Sequence, residues 1–110
     1  MTSVIFSGTI TTIGQNAFEE CGLVALDFPS SLTFTDRDCF ANCKDLEVVY
    51  INTGIETIGR GTFYGCSKLS NIYYRGTSTQ WNSVSKQVYW HEGCPATVVH
   101  CMGDNVDVSI

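Results

Sequence analysis

Positive charge is scarce in this chain. The 110 residues include six lysines and arginines against eleven aspartates and glutamates, so the formal net charge is −5 at pH 7. A protein that binds nucleic acid or an anionic membrane needs basic side chains gathered together to neutralise phosphates. No basic stripe of this kind is present. The composition therefore argues against both classes of partner.

Long apolar segments are missing as well. No stretch approaches the roughly 18 consecutive apolar residues that a membrane-spanning helix requires. The N-terminal segment MTSVIFSGTI has no basic region followed by a long apolar core, so it does not have the pattern of a signal peptide. We expect either a cytosolic protein or a mature or excised piece of a longer chain.

Patterns that carry catalysis are also lacking. The sequence has no G-x-S-x-G nucleophile motif and no glycine-rich phosphate loop after a strand. Two acidic stretches, DRD at 36–38 and GDNVD at 103–107, are too sparse for a calcium loop, which needs a denser set of oxygen ligands. The sequence thus predicts neither an enzyme nor a cofactor.

Internal repetition is what the chain does have. Three segments, IGQNAFEEC, TDRDCFANC and IGRGTFYGC, align on Phe18, Phe40 and Phe63, which are 22 and then 23 residues apart. Downstream, three apolar columns recur every 23 residues: Leu23, Leu46 and Leu69; Leu26, Val49 and Ile72; and Phe28, Ile51 and Tyr74. Upstream, Ile10, Leu32 and Ile55 form another column. A period of this length with L-x-x-I-x-I spacing is typical of a leucine-rich-repeat solenoid.

The spacing predicts the shape of each repeat. Alternating apolar residues such as Leu26 and Phe28 indicate a short strand, and successive strands should stack in parallel at roughly 4.8 Å. The segment from the phenylalanine to the cysteine predicts a short helix or helical turn on the opposite side, entered at Gly14 and Gly59. We therefore predict an α/β repeat solenoid: a short right-handed superhelix with a parallel sheet on one face, short helices or turns on the other, and a C-terminal cap.

The repeat resembles that of the BspA-like leucine-rich proteins, whose pattern is I-G-x-x-A-F-x-x-C-x-x-L-x-x-I-x-I-P. It appears here as IGQNAFEECGLVALDFP, TDRDCFANCKDLEVVYIN and IGRGTFYGCSKLSNIYYRG, over about residues 4 to 76. The resemblance implies a non-enzymatic interaction or adhesion module at the cell surface or secreted, as part of a longer chain. Three residues depart from the pattern: Thr35 stands for isoleucine, and Cys39 and Thr62 stand for alanine.

The organisation predicted from the pattern has two parts. Residues 1–76 hold about three full repeats after a partial one, and residues 77–110 form a C-terminal cap and tail. In the tail, Trp81 lies in a predicted short helix, TSTQWNSV, where its large side chain would cover the open end of the core. The alternating segment TVVHC predicts a final strand, with His100 and Cys101 on opposite faces.

The cysteines allow several interpretations. Cys21, Cys43 and Cys66 share one column and are expected to be buried thiols that behave as small apolar groups; disulfides between repeats are an alternative. CFANC brings Cys39 and Cys43 onto one face of a helix, but a lone C-x-x-x-C lacks the other ligands of a zinc site. The remaining alternatives are a Cys94–Cys101 disulfide and a metal site of His91, Cys94, His100 and Cys101. Together they define the second functional hypothesis, a metal- or redox-responsive domain.

The strand residues between the inward columns should face the exposed side of the sheet. One predicted row is Ile5, Asp27, Tyr50 and Tyr73; beside it run Ala25, Val48 and Asn71, and then Pro29, Asn52 and Arg75. Tyrosine and arginine are favoured at interfaces, so we predict a contact patch for a protein or glycan partner. Its residues are Asp27, Val48, Tyr50, Asn71, Tyr73 and Arg75. The alternative is that the tyrosines pair because they fit a sheet.

The N-terminal end of the array carries no predicted cap. The segment VIF at residues 4–6 matches the strand columns and would leave an open sheet edge and an open core face. We therefore expect either further repeats before this end or a homodimer formed through it.

Overall fold

The computed structural model describes residues 4–6 and 8–110, which wind into a solenoid of about four coils with two sheets along its length. The first sheet has four two-residue strands in parallel: β1 (Thr12–Ile13), β3 (Phe34–Thr35), β5 (Thr57–Ile58) and β7 (Ser85–Lys86). The second sheet holds β2 (Ala25–Asp27), β4 (Val48–Ile51), β6 (Asn71–Tyr74), β8 (Val98–Cys101) and β9 (Val106–Ser109). The predicted repeat solenoid is confirmed.

The second sheet has the register that the repeat columns predict. Leu26, Val49, Ile72 and Val99 are paired in order across β2, β4, β6 and β8, and each is at most 2% exposed. Because alternate strand residues point to opposite faces, the residues between them face outward. Val99 extends the column one coil beyond the three repeats that the sequence pattern defined.

The segments from phenylalanine to cysteine are chains of turns, not helices. Within the first of them Ala17 N–H donates to Gly14 O at 3.2 Å, whereas Phe18 N–H donates forward to Cys39 O of the next coil at 2.8 Å. A helix would keep all of these donors within one segment. Because some residues have a left-handed backbone conformation, successive N–H groups point alternately within the segment and towards the next coil. These residues are Asn16, Glu20, Asp38, Asn42, Gly61, Gly65, Tyr89 and Gly93. The turns therefore form a third hydrogen-bonded layer along the solenoid.

Stacked phenylalanines fill the core beneath this layer. Phe18, Phe40 and Phe63 lie one above another, with successive ring centroids 5.3 and 5.9 Å apart. Phe28, which belongs to a strand column, stacks against Phe40 and Phe63 at 6.1 Å from each. Each aromatic pair adds roughly 0.5–1.5 kcal/mol beyond the burial of its area. Through Phe28, the aromatic core thus connects the strand side of the solenoid to its turn side.

The coils continue past residue 76. Helix α1 (Ser78–Asn82) is inserted between β6 and β7 and is capped by a reciprocal pair of hydrogen bonds between Thr77 and Gln80. Trp81 is 1% exposed and lies 5.2 Å from Tyr74 and 5.7 Å from Trp90 between ring centroids. A short helix with a buried tryptophan is present as predicted, but strands follow it in both sheets, so Trp81 does not lie at the end of the core; the terminal cap stays a prediction. The boundary between 1–76 and 77–110 stays a prediction, since strands from both parts share the two sheets.

The two ends of the array differ from what the pattern predicts. At the C-terminal end TVVHC does form a strand, but it is not the last, because β9 pairs with β8 in the antiparallel sense. At the N-terminal end residues 4–6 form no strand, although Val4 and Phe6 pack against the core. Ile5 is 91% exposed. Within residues 4–6 and 8–110, no helix has the length and apolar character needed to cross a membrane.

Candidate functional site

A row of stacked rings crosses the exposed face of the second sheet. The rings of Tyr50 and Tyr73 lie 5.0 Å apart with their planes at 14°, and those of Tyr73 and His100 lie 5.0 Å apart at 33°. The three residues are partners in the registers of β4, β6 and β8, so the strand spacing itself brings the rings into contact. We call Tyr50, Tyr73 and His100 the aromatic ladder.

A carboxylate lies at each end of the aromatic ladder. Asp27 is the register partner of Tyr50, and Arg75 Nη2 donates to its Oδ2 at 3.1 Å. The same guanidinium lies over the Tyr50 ring, 5.0 Å from the centroid. At the other end, Asp107 Oδ1 of β9 is 2.8 Å from His100 Nδ1. Each carboxylate thus has a partner within the same face of the sheet.

The six predicted contact residues share this face. Val48 and Asn71 are register partners and lie beside Tyr50 and Tyr73, while Arg75 joins Asp27 to the ladder. Their role in binding stays a prediction. The sequence analysis missed His100 and Asp107 as members of the row. Aligning TVV with SNI would have placed His100 beside Tyr73, whereas nothing in a single sequence pairs β9 with β8.

Asn52 was expected on the exposed face, and that prediction is wrong. Its side chain is buried, with the residue only 4% exposed, and Nδ2 donates to Leu32 O at 2.8 Å and to Ser30 O at 3.3 Å. The physical reason is its position one residue beyond the end of β4, where strand alternation no longer sets the side-chain direction. Asn52 instead joins the loops of two coils.

The cysteine column is a set of buried thiols with one regular contact. Cys43 donates its S–H to Phe18 O, Cys66 to Phe40 O and Cys94 to Phe63 O, each at 3.2 Å. All six cysteines are free thiols. Cys43 and Cys66 are fully buried as predicted, while Cys21 at the end of the column is half-buried. Cys94, which the sequence analysis placed in the cap, is the fourth member.

Burial raises the pKa of most of these thiols, whereas the pKa of Cys43 is lowered, chiefly by its hydrogen bond with Cys66. Burial raises the pKa of Cys39 and that of Cys94 to about 12 each. The pKa of Cys66 is also raised, first because its thiol shares a hydrogen bond with Cys43 and second because it is buried. Because the thiolate is the reactive form, thiols with a raised pKa are poor nucleophiles at neutral pH.

The residues of the alternative metal site are not gathered together. His100 lies on the ladder side of β8, and Cys101 lies on its buried side, as the strand alternation predicts. Cys94 is in the turn layer, with its thiol on Phe63 O. Among the residues that the structure describes, no group of three or more histidine, cysteine, aspartate or glutamate side chains is arranged to hold a metal ion.

Comparison with known proteins agrees with the coil geometry. A family model for the BspA-type leucine-rich repeat region matches residues 1–91 in six copies. No curated protein and no solved structure matched the chain. Since the matched repeats cover most of the sequence and their strands form the two sheets, this chain belongs to the BspA-type leucine-rich repeat family.

Proposed function

We propose that this chain is a non-enzymatic adhesion module that recognises a partner protein through the exposed face of its parallel sheet. Membership of a leucine-rich repeat family supports a role in protein interaction. The observation that carries the finer proposal is the aromatic ladder with Arg75 over its first ring. Tyrosine and arginine dominate the centres of protein interfaces because they offer large contact areas with polar ends.

A partner can replace the ion pair on this face with contacts of its own. The Arg75–Asp27 pair is solvent-exposed, with side-chain exposures of 44% and 62%. Pairs of this kind contribute roughly 0–1 kcal/mol, so a partner can replace either member at little cost. A protein surface that presents a carboxylate to Arg75 beside an apolar or aromatic side chain against Tyr50 and Tyr73 would complement the face.

The family supports a proposal for the cellular setting. BspA-type repeats are typical of surface proteins, and we place this module at the cell surface or in a secreted protein, as one part of a longer chain. A non-enzymatic role agrees with the chemistry of Cys39 and Cys94, whose thiols burial holds in their neutral, poorly nucleophilic form.

Binding to a panel of extracellular-matrix proteins tests the proposal. The partner found in the panel is titrated against the wild-type chain, the double variant Tyr50→Ala/Tyr73→Ala, and the control Tyr64→Ala, whose exposed tyrosine lies in the turn layer. We expect the double variant to raise Kd by at least tenfold and the control to leave it within twofold. Wild-type affinity in the double variant would exclude the ladder as the binding surface.

A further inference from the structure

A groove lies in the turn layer, apart from the aromatic ladder. The groove has a volume of about 660 Å³ and runs across the turns of several coils. Ligand sites in proteins commonly enclose roughly 300–1,000 Å³. The side chains that matter for its chemistry are Arg37, Arg60, Asn42, Tyr64, Tyr89 and Glu92.

The groove contains two arginines without an acidic partner. Arg37 and Arg60 occupy equivalent positions in neighbouring coils, since their carbonyl oxygens accept from Asn16 N–H and Asp38 N–H respectively, each at 3.0 Å. Neither guanidinium forms an ion pair with the described residues, whereas Arg75 and Lys68 each do. In a chain of net charge −5, two unpaired guanidiniums that line one groove offer charged donors to an anionic group.

Tyr89 is held in the groove by a strained backbone. Its φ is 63°, and it occupies the position that Gly61, with φ 66°, occupies in the preceding coil. The equivalence follows from the hydrogen bonds, because Gly61 N–H and Gly65 N–H donate to Val88 O and Glu92 O of the last coil. A left-handed conformation costs a residue other than glycine roughly 1–2 kcal/mol.

Burial does not offset that strain. The Tyr89 residue is 49% exposed, and the Arg60 guanidinium lies over its ring, with the guanidinium carbon 5.4 Å from the ring centroid. Tyr64, also in the groove, is 46% exposed. The left-handed geometry is shared by the equivalent residues of the other coils, Asn16, Asp38 and Gly61, so it belongs to the turn layer. What is particular to the last coil is that an exposed aromatic ring occupies this position at the edge of the groove.

The mixture of side chains defines the ligand. Two guanidiniums suit one carboxylate, while the Asn42 amide and the Glu92 carboxylate suit the hydroxyl groups of a sugar ring. The exposed tyrosine rings offer flat apolar surface for the C–H face of such a ring. Glu19, Asp38 and Glu92 also line the groove, so a fitting ligand combines carboxylate groups with neutral hydroxyl groups and ring surface and does not carry charge alone. We propose that the groove binds an acidic saccharide, with its carboxylate on Arg37 and Arg60.

Calorimetric titration with trigalacturonic acid tests the proposal, and its methyl ester is the matched probe that lacks the charge. We expect the acid to bind at least tenfold more tightly than the ester. Arg37→Gln/Arg60→Gln should abolish that discrimination, and Tyr50→Ala/Tyr73→Ala should bind the acid as the wild type does. A glutamate-rich peptide is the third probe; if it binds more tightly than the saccharide, the groove is an acidic-peptide site and the proposal is wrong.

The variant Tyr89→Gly separates binding from stability. Glycine adopts a φ of 63° without strain, so the free energy of unfolding should stay within about 1 kcal/mol of the wild-type value or rise. Binding of trigalacturonic acid should weaken at least fivefold, because the ring is lost. Unchanged affinity in this variant, or no heat of binding by the wild type at millimolar saccharide, would overturn the assignment.

Discussion

The hydroxyl oxygens of Thr35 and Thr62 lie 3.1 Å apart in the core, and both residues are fully buried. Gly59 N–H donates to Thr35 Oγ1 at 3.1 Å, and Thr62 Oγ1 donates to Gly59 O at 2.7 Å. The two threonines therefore close a ring of hydrogen bonds with one glycine. Both replace apolar residues of the family pattern, so each departure supplies the polar partner that the other requires.

Isosteric variants should reveal this coupling. Thr35→Val leaves Gly59 N–H without its acceptor. Thr62→Val removes the hydroxyl donor to Gly59 O, which keeps only its bond from Thr62 N–H at 3.2 Å. Each variant should lower the free energy of unfolding by about 1–3 kcal/mol. Because both single variants also break the hydroxyl–hydroxyl bond, the double variant should lose about 0.5–1.5 kcal/mol less than the two effects added. Urea unfolding of the four proteins measures the cycle, and strict additivity would show that the two hydroxyls act independently.

The tryptophan of α1 should be a major source of stability. Trp81 packs between Tyr74 and Trp90, and Lys86 Nζ lies 4.4 Å from its ring centroid. Trp81→Ala should lower the free energy of unfolding by about 3–5 kcal/mol, because it leaves a cavity in the core between Tyr74 and Trp90. Asn82→Ala, at an exposed position of the same helix, is the control and should change it by less than about 0.5 kcal/mol. A loss below 1 kcal/mol for Trp81→Ala would show that the packing of this side chain is not a major source of stability.

Stability should fall at alkaline pH because of the buried thiols. The pKa of Cys39 is about 12 in the folded chain against 9.0 for a free thiol, so between these values the unfolded chain binds fewer protons than the folded one. The stabilisation is therefore complete below pH 9 and is lost as the pH rises towards 12. Cys39→Ala should reduce the slope of the free energy of unfolding against pH by up to about 1.4 kcal/mol per pH unit. Cys21→Ala, which removes a half-buried thiol, should reduce that slope less. Equal slopes in all three proteins from pH 8 to 10.5 would show that the Cys39 thiol ionises freely.

We propose that association occurs through the N-terminal end. Ile5 is 91% exposed between Val4 and Phe6, which pack against the core, so a second copy can cover apolar surface there. Light scattering after size-exclusion should show a mass that rises with concentration, and Ile5→Lys should shift it towards the monomer. The homodimer proposal fails if the wild-type chain stays monomeric up to millimolar concentration.

The sequence predicts those parts of the fold that repeat at long spacing. The columns of Leu26, Val49 and Ile72 defined the second sheet and the exposed position of Tyr50 and Tyr73, because a period of 22–23 residues leaves one register for the strands. The first sheet was not predicted, since its two-residue strands are too short to show alternation.

Other features depend on contacts that a local pattern does not carry. The turns between phenylalanine and cysteine have helical spacing, yet backbone bonds to the next coil replace the helix. Asn52 is buried because its amide bonds two carbonyls of the preceding coil. His100 belongs to the ladder because the coils continue after the inserted helix α1, and the local sequence pattern does not show this continuation.

The stack of Phe18, Phe40 and Phe63 has a consequence for recognition at the opposite face. Phe28 joins this stack to β2, β4 is hydrogen-bonded in register to β2, and β6 is hydrogen-bonded in register to β4. The spacing of the Tyr50 and Tyr73 rings is therefore set when the chain folds. A partner therefore meets a surface whose side chains have already lost most of their conformational entropy. The ordering penalty of association then falls mainly on the partner, so affinity should depend on how rigid the partner's own docking segment is.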